Sequence, residues 1–140
     1  MSATKQTPMI DALDANEVIT LFVDDLPSAR AFYQSVFGRK IVYQDDNCSV
    51  LELGPVMINL LRASEAPGLV APAAVAKPTD GSRLLLTIKV EDVDAVCTAL
   101  AKHGVKLLNG PMNRPWGRRT AAFADPAGHV WEVAQELGRA

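Results

Sequence analysis

The sequence has only two cysteines, Cys48 and Cys97, and neither belongs to a C-x-x-C pair or to a zinc-motif spacing with histidine. A disulfide framework and a structural zinc site are therefore excluded, and both thiols are expected to be small buried hydrophobes in a reducing compartment. No apolar run approaches the roughly 20 residues that cross a bilayer. The polar opening Met1-Ser2-Ala3-Thr4-Lys5-Gln6-Thr7-Pro8 lacks the apolar core of a secretory signal. The expectation is a soluble cytoplasmic protein with no membrane partner. An excess of charge is missing too: 14 Lys and Arg against 16 Asp and Glu leave a net charge of -2. That balance is too even to hold a polyanion by phosphate neutralisation, so no nucleic-acid partner is expected. G-x-G-x-x-G, Walker A, H-E-x-x-H and G-x-S-x-G motifs are all absent.

What is present is an ordinary globular composition, 49% hydrophobic and 21% charged over 140 residues. Residues 1–16 are polar and aperiodic and read as a flexible N-terminal tail, leaving 17–140 as one domain. Val18-Ile19-Thr20-Leu21-Phe22-Val23 has the β-branched and aromatic character of a buried strand. Asp24-Asp25-Leu26-Pro27 then supplies an acid for a helix N-cap and a proline for the first turn. Ala29, Phe32, Tyr33, Val36 and Phe37 follow at helical spacing, which makes Tyr33 and Phe37 core residues, and Gly38 stops the helix. Three short apolar segments, Ile41 to Tyr43, Val50 to Leu53 and Val56 to Leu61, are separated by Asp46-Asn47 and Gly54-Pro55 turns.

The same order recurs. Leu84 to Val90 reads as a strand, Glu91-Asp92-Val93-Asp94 opens a helix that Gly104 ends, and His103 near that end suits the negative pole of the dipole. Val105 to Leu108, Thr120 to Ala124 and His129 to Ala134 complete the copy, with Asp125-Pro126-Ala127-Gly128 as a type I turn. Laying Val23-Asp24-Asp25-Leu26 on Val90-Glu91-Asp92-Val93 gives a repeat of about 67 residues, with extra residues in the second copy around Asn109 to Arg118. The fold class is therefore α+β: two βαβββ modules, 17–62 and 83–136, joined by a proline-rich loop, 63–82, without helical or strand period.

The residues Val23-Asp24-Asp25-Leu26, Phe32-Tyr33, Phe37-Gly38, Trp116-Gly117 and Phe123-Ala124-Asp125-Pro126-Ala127-Gly128-His129-Val130-Trp131-Glu132 together resemble the vicinal oxygen chelate superfamily. That group includes glyoxalase I, extradiol dioxygenases, fosfomycin-resistance enzymes and bleomycin-resistance proteins. The resemblance implies curled mixed sheets around a cleft, often completed by homodimerisation. It also implies a divalent metal held by the first and last strands of each module. The four corresponding positions here are Val18, Leu85, Asn59 and Glu132. Valine and leucine donate no electron pair, so one amide and one carboxylate remain where about three or four donors are needed. No metal and no cofactor are expected.

Strand alternation places Thr20, Phe22, Thr87, Met57, Leu61, Val130 and Ala134 on the same inward face as those four positions. The cleft so described is apolar with two hydroxyls, an amide and one acid, which suits a small-molecule ligand. Glu132 either receives a hydrogen bond from a cationic ligand, acts as a general base, or is solvated or paired with an arginine. Trp116, in the insertion, either stacks on a planar ligand or packs at a dimer contact, and Arg118 beside it either binds an anionic group or is solvated. The candidate ligand-binding set is Glu132, Trp116, Asn59, Phe22, Thr20, Thr87 and Arg118. Three functions remain open. The first is a metal-free, homodimeric protein that sequesters a planar aromatic compound, as in antibiotic resistance. The second is a lyase, isomerase or dioxygenase whose metal sits on Glu52 or His129 together with Glu132. The third is an interaction module with a filled core.

Overall fold

The computed structural model describes residues 10–138. Of the expected tail, residues 1–9 lie outside the described residues, and Ile10 to Asn16 are exposed with one turn and no helix or strand. Strand β1 (Val18–Val23) leads to helix α1 (Leu26–Ser35), then β2 (Ile41–Gln44), β3 (Cys48–Leu53) and β4 (Val56–Arg62). The second module has β5 (Leu86–Lys89), the equivalent helix α3 (Val93–Lys102), β6 (Leu107–Arg114), β7 (Arg118–Ala124) and β8 (Val130–Glu136). Between them lie a single 3-10 turn at Ala63–Glu65 and a short helix α2 (Pro67–Val70). The linker is thus not the aperiodic loop expected from its composition. Pro67 at the first position of α2 needs no N–H partner, which is how a proline-rich stretch starts a helix.

Each module folds into its own four-stranded mixed sheet, ordered β1-β4-β3-β2 and β5-β8-β7-β6. In each sheet the first and last strands of the module run parallel and the rest are antiparallel. The repeat is visible atom by atom at the helix starts. The Asp25 carboxylate accepts from Ser28 N at 3.2 Å, and the Asp92 carboxylate accepts from Ala95 N at 3.1 Å, each satisfying a backbone donor that the first helical turn leaves free. The expected insertion at Asn109 to Arg118 is a lengthened hairpin, because β6 continues to Arg114 and pairs with β7 up to Arg118. Strand β5 is shorter than the sequence suggests, and Leu84 and Leu85 lie before it.

Alternation holds in part: Leu61 and Ala134, expected on the cleft face, are buried, and β7 is buried from Thr120 to Phe123 without a break. Leu21, Val23, Ile58, Leu60, Trp131 and Val133 are buried on the core side. The core that joins the modules is aromatic: Phe37 stands 4.9 Å from both the Tyr33 and the Trp131 rings, and Phe32 lies 6.4 Å from Phe123. Edge-on and tilted contacts of this kind add to the area term that buries them. The first module's helix thus packs on the second module's sheet. No helix among the described residues is long and apolar enough to cross a membrane.

Candidate functional site

On the sheet face turned away from that core, the parallel registers put Thr20 beside Asn59 and Thr87 beside Glu132. Asn59 Nδ2 donates to Thr20 Oγ1 at 3.4 Å, and Thr87 Oγ1 donates to Glu132 Oε1 at 3.1 Å. The two modules therefore carry the same device, a threonine hydroxyl against a longer polar side chain on the neighbouring strand. They differ in one respect. Asn59 Oδ1 is buried and has no hydrogen-bond partner, whereas Thr87 is exposed and Glu132 half-buried. A buried polar atom without a partner costs about 1–3 kcal/mol. It is a place where a ligand's donor would be welcome.

The remaining candidates are not gathered with these pairs. Trp116 sits at the turn between β6 and β7 with 67% of its surface exposed, and the Arg114 guanidinium lies 5.8 Å from its ring centroid. Arg118 is held by Glu136 at 2.7 Å, so an anionic ligand there has to displace a carboxylate. Phe22 lines a cavity at the far end of β1 beside the linker. Thr87 also borders a second, mostly apolar cavity of about 380 Å³ between the modules, with Ile19, Ile58, Leu86, Ile88 and Trp131.

The family's metal does not suit these residues. Val18 and Leu85 stand at two of the four ligand positions, and no three His, Cys, Asp or Glu side chains converge among the described residues. Glu52 lies on β3 opposite Met57, in the other sheet from Glu132. His129 Nδ1 is engaged by Asp125 at 2.8 Å. Burial pushes both thiols, Cys48 and Cys97, above the ordinary value, with Asp45 and Asp94 adding to the effect, so neither is an activated nucleophile.

One cluster was not legible in the sequence. The Asp125 carboxylate, fully buried, accepts from the Tyr33 hydroxyl at 2.7 Å, from Ala127 N at 3.0 Å, from His129 N at 2.8 Å and from His129 Nδ1 at 2.8 Å. Trp131 Nε1 in turn donates to the Tyr33 oxygen at 2.9 Å. Burial, reinforced by the Asp125 charge, holds the Tyr33 phenol protonated far above its ordinary range. Tyr33, read as plain core, and His129, read as a turn residue, meet through one carboxylate, while the Asp125 backbone oxygen closes the turn by accepting from Gly128 N at 3.0 Å.

Duplicated βαβββ modules, each folded into a four-stranded mixed sheet, define the class of protein. The chain belongs to the Glyoxalase/Bleomycin resistance protein/Dioxygenase superfamily, whose family model matches residues 17–133. It is 31% identical over 125 residues to the uncharacterised protein YraH of Bacillus subtilis, covering 85% of this chain and 96% of that one. It is also similar to the solved structure of TnmS3, an antibiotic binding protein from Streptomyces sp. CB03234, with 27% identity, TM-score 0.68, and 89% and 98% of the two chains covered. Lactoylglutathione lyase from Agrobacterium tumefaciens shares the fold, at 24% identity and TM-score 0.71, over 86% of this chain and 92% of that one.

Proposed function

We propose that this chain is a metal-free small-molecule-binding protein that acts as a cytoplasmic homodimer and sequesters a planar aromatic compound, antibiotics included. The observation that carries the reading is the buried, unpartnered Asn59 Oδ1 beside Thr20. Its oxygen accepts a hydrogen bond from the ligand, and Glu132 receives a cationic or N–H group. Thr20 and Thr87 hold these two side chains in orientation. Trp116, exposed at the β6–β7 turn, offers an aromatic face to a ligand long enough to reach it, Arg118 there exchanges Glu136 for an anionic substituent, and Phe22 faces the separate cavity at the end of β1. Likeness to an antibiotic binding protein supports the same class of ligand.

The homodimer follows from what the single chain leaves uncovered. Val18, beside Met57, is 39% exposed and Leu85, just ahead of β5, is 52% exposed, apolar surface that a second copy covers while closing the cleft. Sedimentation or light scattering then reports twice the 15.0 kDa chain mass.

The ligand test is a thermal-shift and calorimetric panel of planar aromatic compounds on wild type and Asn59→Leu. A true ligand at 100 times its Kd adds about 2.7 kcal/mol of stability. Asn59→Leu loses at least ~10-fold in affinity while holding or gaining stability, because it removes an unpaired buried oxygen worth about 1–3 kcal/mol. A panel with no stabilising member, or an Asn59→Leu protein that binds unchanged, rejects the reading.

A further inference from the structure

The cavity that Phe22 lines, of about 160 Å³, lies between the linker, the end of β1 and the Asp125–His129 turn. His129, Lys77, Arg83, Ser82, Asp24 and Phe22 stand on its walls. The histidine side is rigid. The buried Asp125 carboxylate is an acceptor only, so the proton between it and His129 belongs to Nδ1, and the free ring nitrogen is Nε2. His129 also anchors through its own backbone N–H to the same carboxylate, and its side chain keeps 20% exposure. The imidazole is thus held in one tautomer and one place at the wall of the cavity, the kind of support that a binding group needs to act directionally.

On the opposite wall Lys77 N donates to Asp80 Oδ2 at 2.8 Å and Ser82 Oγ donates to Leu84 O at 2.8 Å, which holds the linker backbone in turns. That linker rests on the histidine's turn: a Cβ at Gly128 would come 3.1 Å from Pro78 O, and the backbone there has φ +93°. Glycine therefore permits both the turn and the close approach. Among the described residues neither the Lys77 ammonium nor the Arg83 guanidinium takes part in an ion pair, so two cations face the cavity against the single carboxylate of Asp24.

We propose that this cavity binds a small oxyanion that keeps a hydroxyl proton, a hydrogen phosphate, with Lys77 and Arg83 supplying charge and His129 Nε2 accepting the directional hydrogen bond from the P–OH. The volume is about half the lower end of pockets that enclose whole drug-sized ligands, which fits an anionic head group rather than a large aromatic molecule. Arginine and lysine beside a fixed imidazole are a combination suited to oxyanions.

The test is a long-range proton–nitrogen NMR titration of the His129 imidazole in the full chain at fixed pH, with inorganic phosphate, acetate and, at matched ionic strength, chloride. The expected result is a saturable shift of Nε2 with phosphate and none with acetate, weakened at least ~10-fold in both Lys77→Ala and Arg83→Ala and unchanged in Asn59→Leu. Saturation by acetate, which has no proton to give to Nε2, overturns the assigned hydrogen bond. A response that never saturates, that chloride reproduces, or that neither cation variant alters overturns the proposal. Because Asn59→Leu is silent in this assay and decisive in the aromatic panel, the two sites fail independently.

Discussion

Replacing Tyr33 by Phe probes the link between the modules most directly. The ring and its contacts to Phe37 at 4.9 Å and Phe32 at 5.3 Å remain, so packing is preserved. What is lost is one oxygen that makes two bonds. Trp131 Nε1, on a fully buried side chain, is left without an acceptor, which costs about 1–3 kcal/mol. Asp125 loses a hydrogen bond to a charged group, worth roughly 1.5–3 kcal/mol, but it retains three other donors that cushion the change. The expected destabilisation is therefore about 2–4 kcal/mol, read as a drop in the urea midpoint at constant m-value. Trp131→Phe and the double variant complete a cycle, and the interaction energy between the two sites is expected at ~1 kcal/mol or more.

High pH supplies an independent readout. Tyr33 has its pKa raised above the ordinary value of 10.0, first by burial and then by the Asp125 charge. A group whose folded pKa exceeds its unfolded one stabilises fully below the unfolded value and loses that contribution as pH rises beyond it. Stability should thus be flat in this term below pH ~10 and fall by up to ~1.4 kcal/mol per pH unit above it. Tyr33→Phe removes that share of the slope. A loss below ~1 kcal/mol at neutral pH, together with an unchanged alkaline slope, refutes the idea that this hydroxyl links the modules.

Further outcomes can be checked singly. Gly110→Ala should cost roughly 2–4 kcal/mol in chemical denaturation, because a Cβ there collides with Thr120 O and lies 2.8 Å from Ala121 Cα at φ +82°. Trp116→Ala should leave stability within about 0.5 kcal/mol, since the ring is mostly exposed, yet weaken an aromatic ligand by roughly 1–3 kcal/mol in calorimetry. Chelator treatment should leave the thermal midpoint in place, and added Zn, Ni, Mn or Fe should not raise it; a stabilising rise contradicts the donor count at Val18, Leu85, Asn59 and Glu132.

Much of the fold was legible because it is written in local periodicity. Period-2 and helical patterns located the strands and both long helices, and the offset between Asp25 and Asp92 located their caps. Parity also put Thr20 on one face with Asn59 and Thr87 on one face with Glu132, and the register pairs them so. The linker was less legible, because its turn and short helix are too brief to generate a period. Trp116 and Arg118 were placed by analogy with a loop position. Their actual neighbours, Arg114 and Glu136, depend on a hairpin whose length no local pattern encodes.

The sequence by itself determined the two modules, their buried and inward faces, and the poverty of metal donors, since each depends on residue type and spacing along the chain. Tertiary structure decided what those elements meet. Tyr33 and Asp125 are 92 residues apart and join only because α1 packs across the second sheet. His129 became a fixed group at a cavity wall only when that carboxylate oriented it and the linker folded over it. Hydrogen bonding and packing between distant segments follow from how two surfaces close on each other, and periodicity along one strand carries no record of that closure.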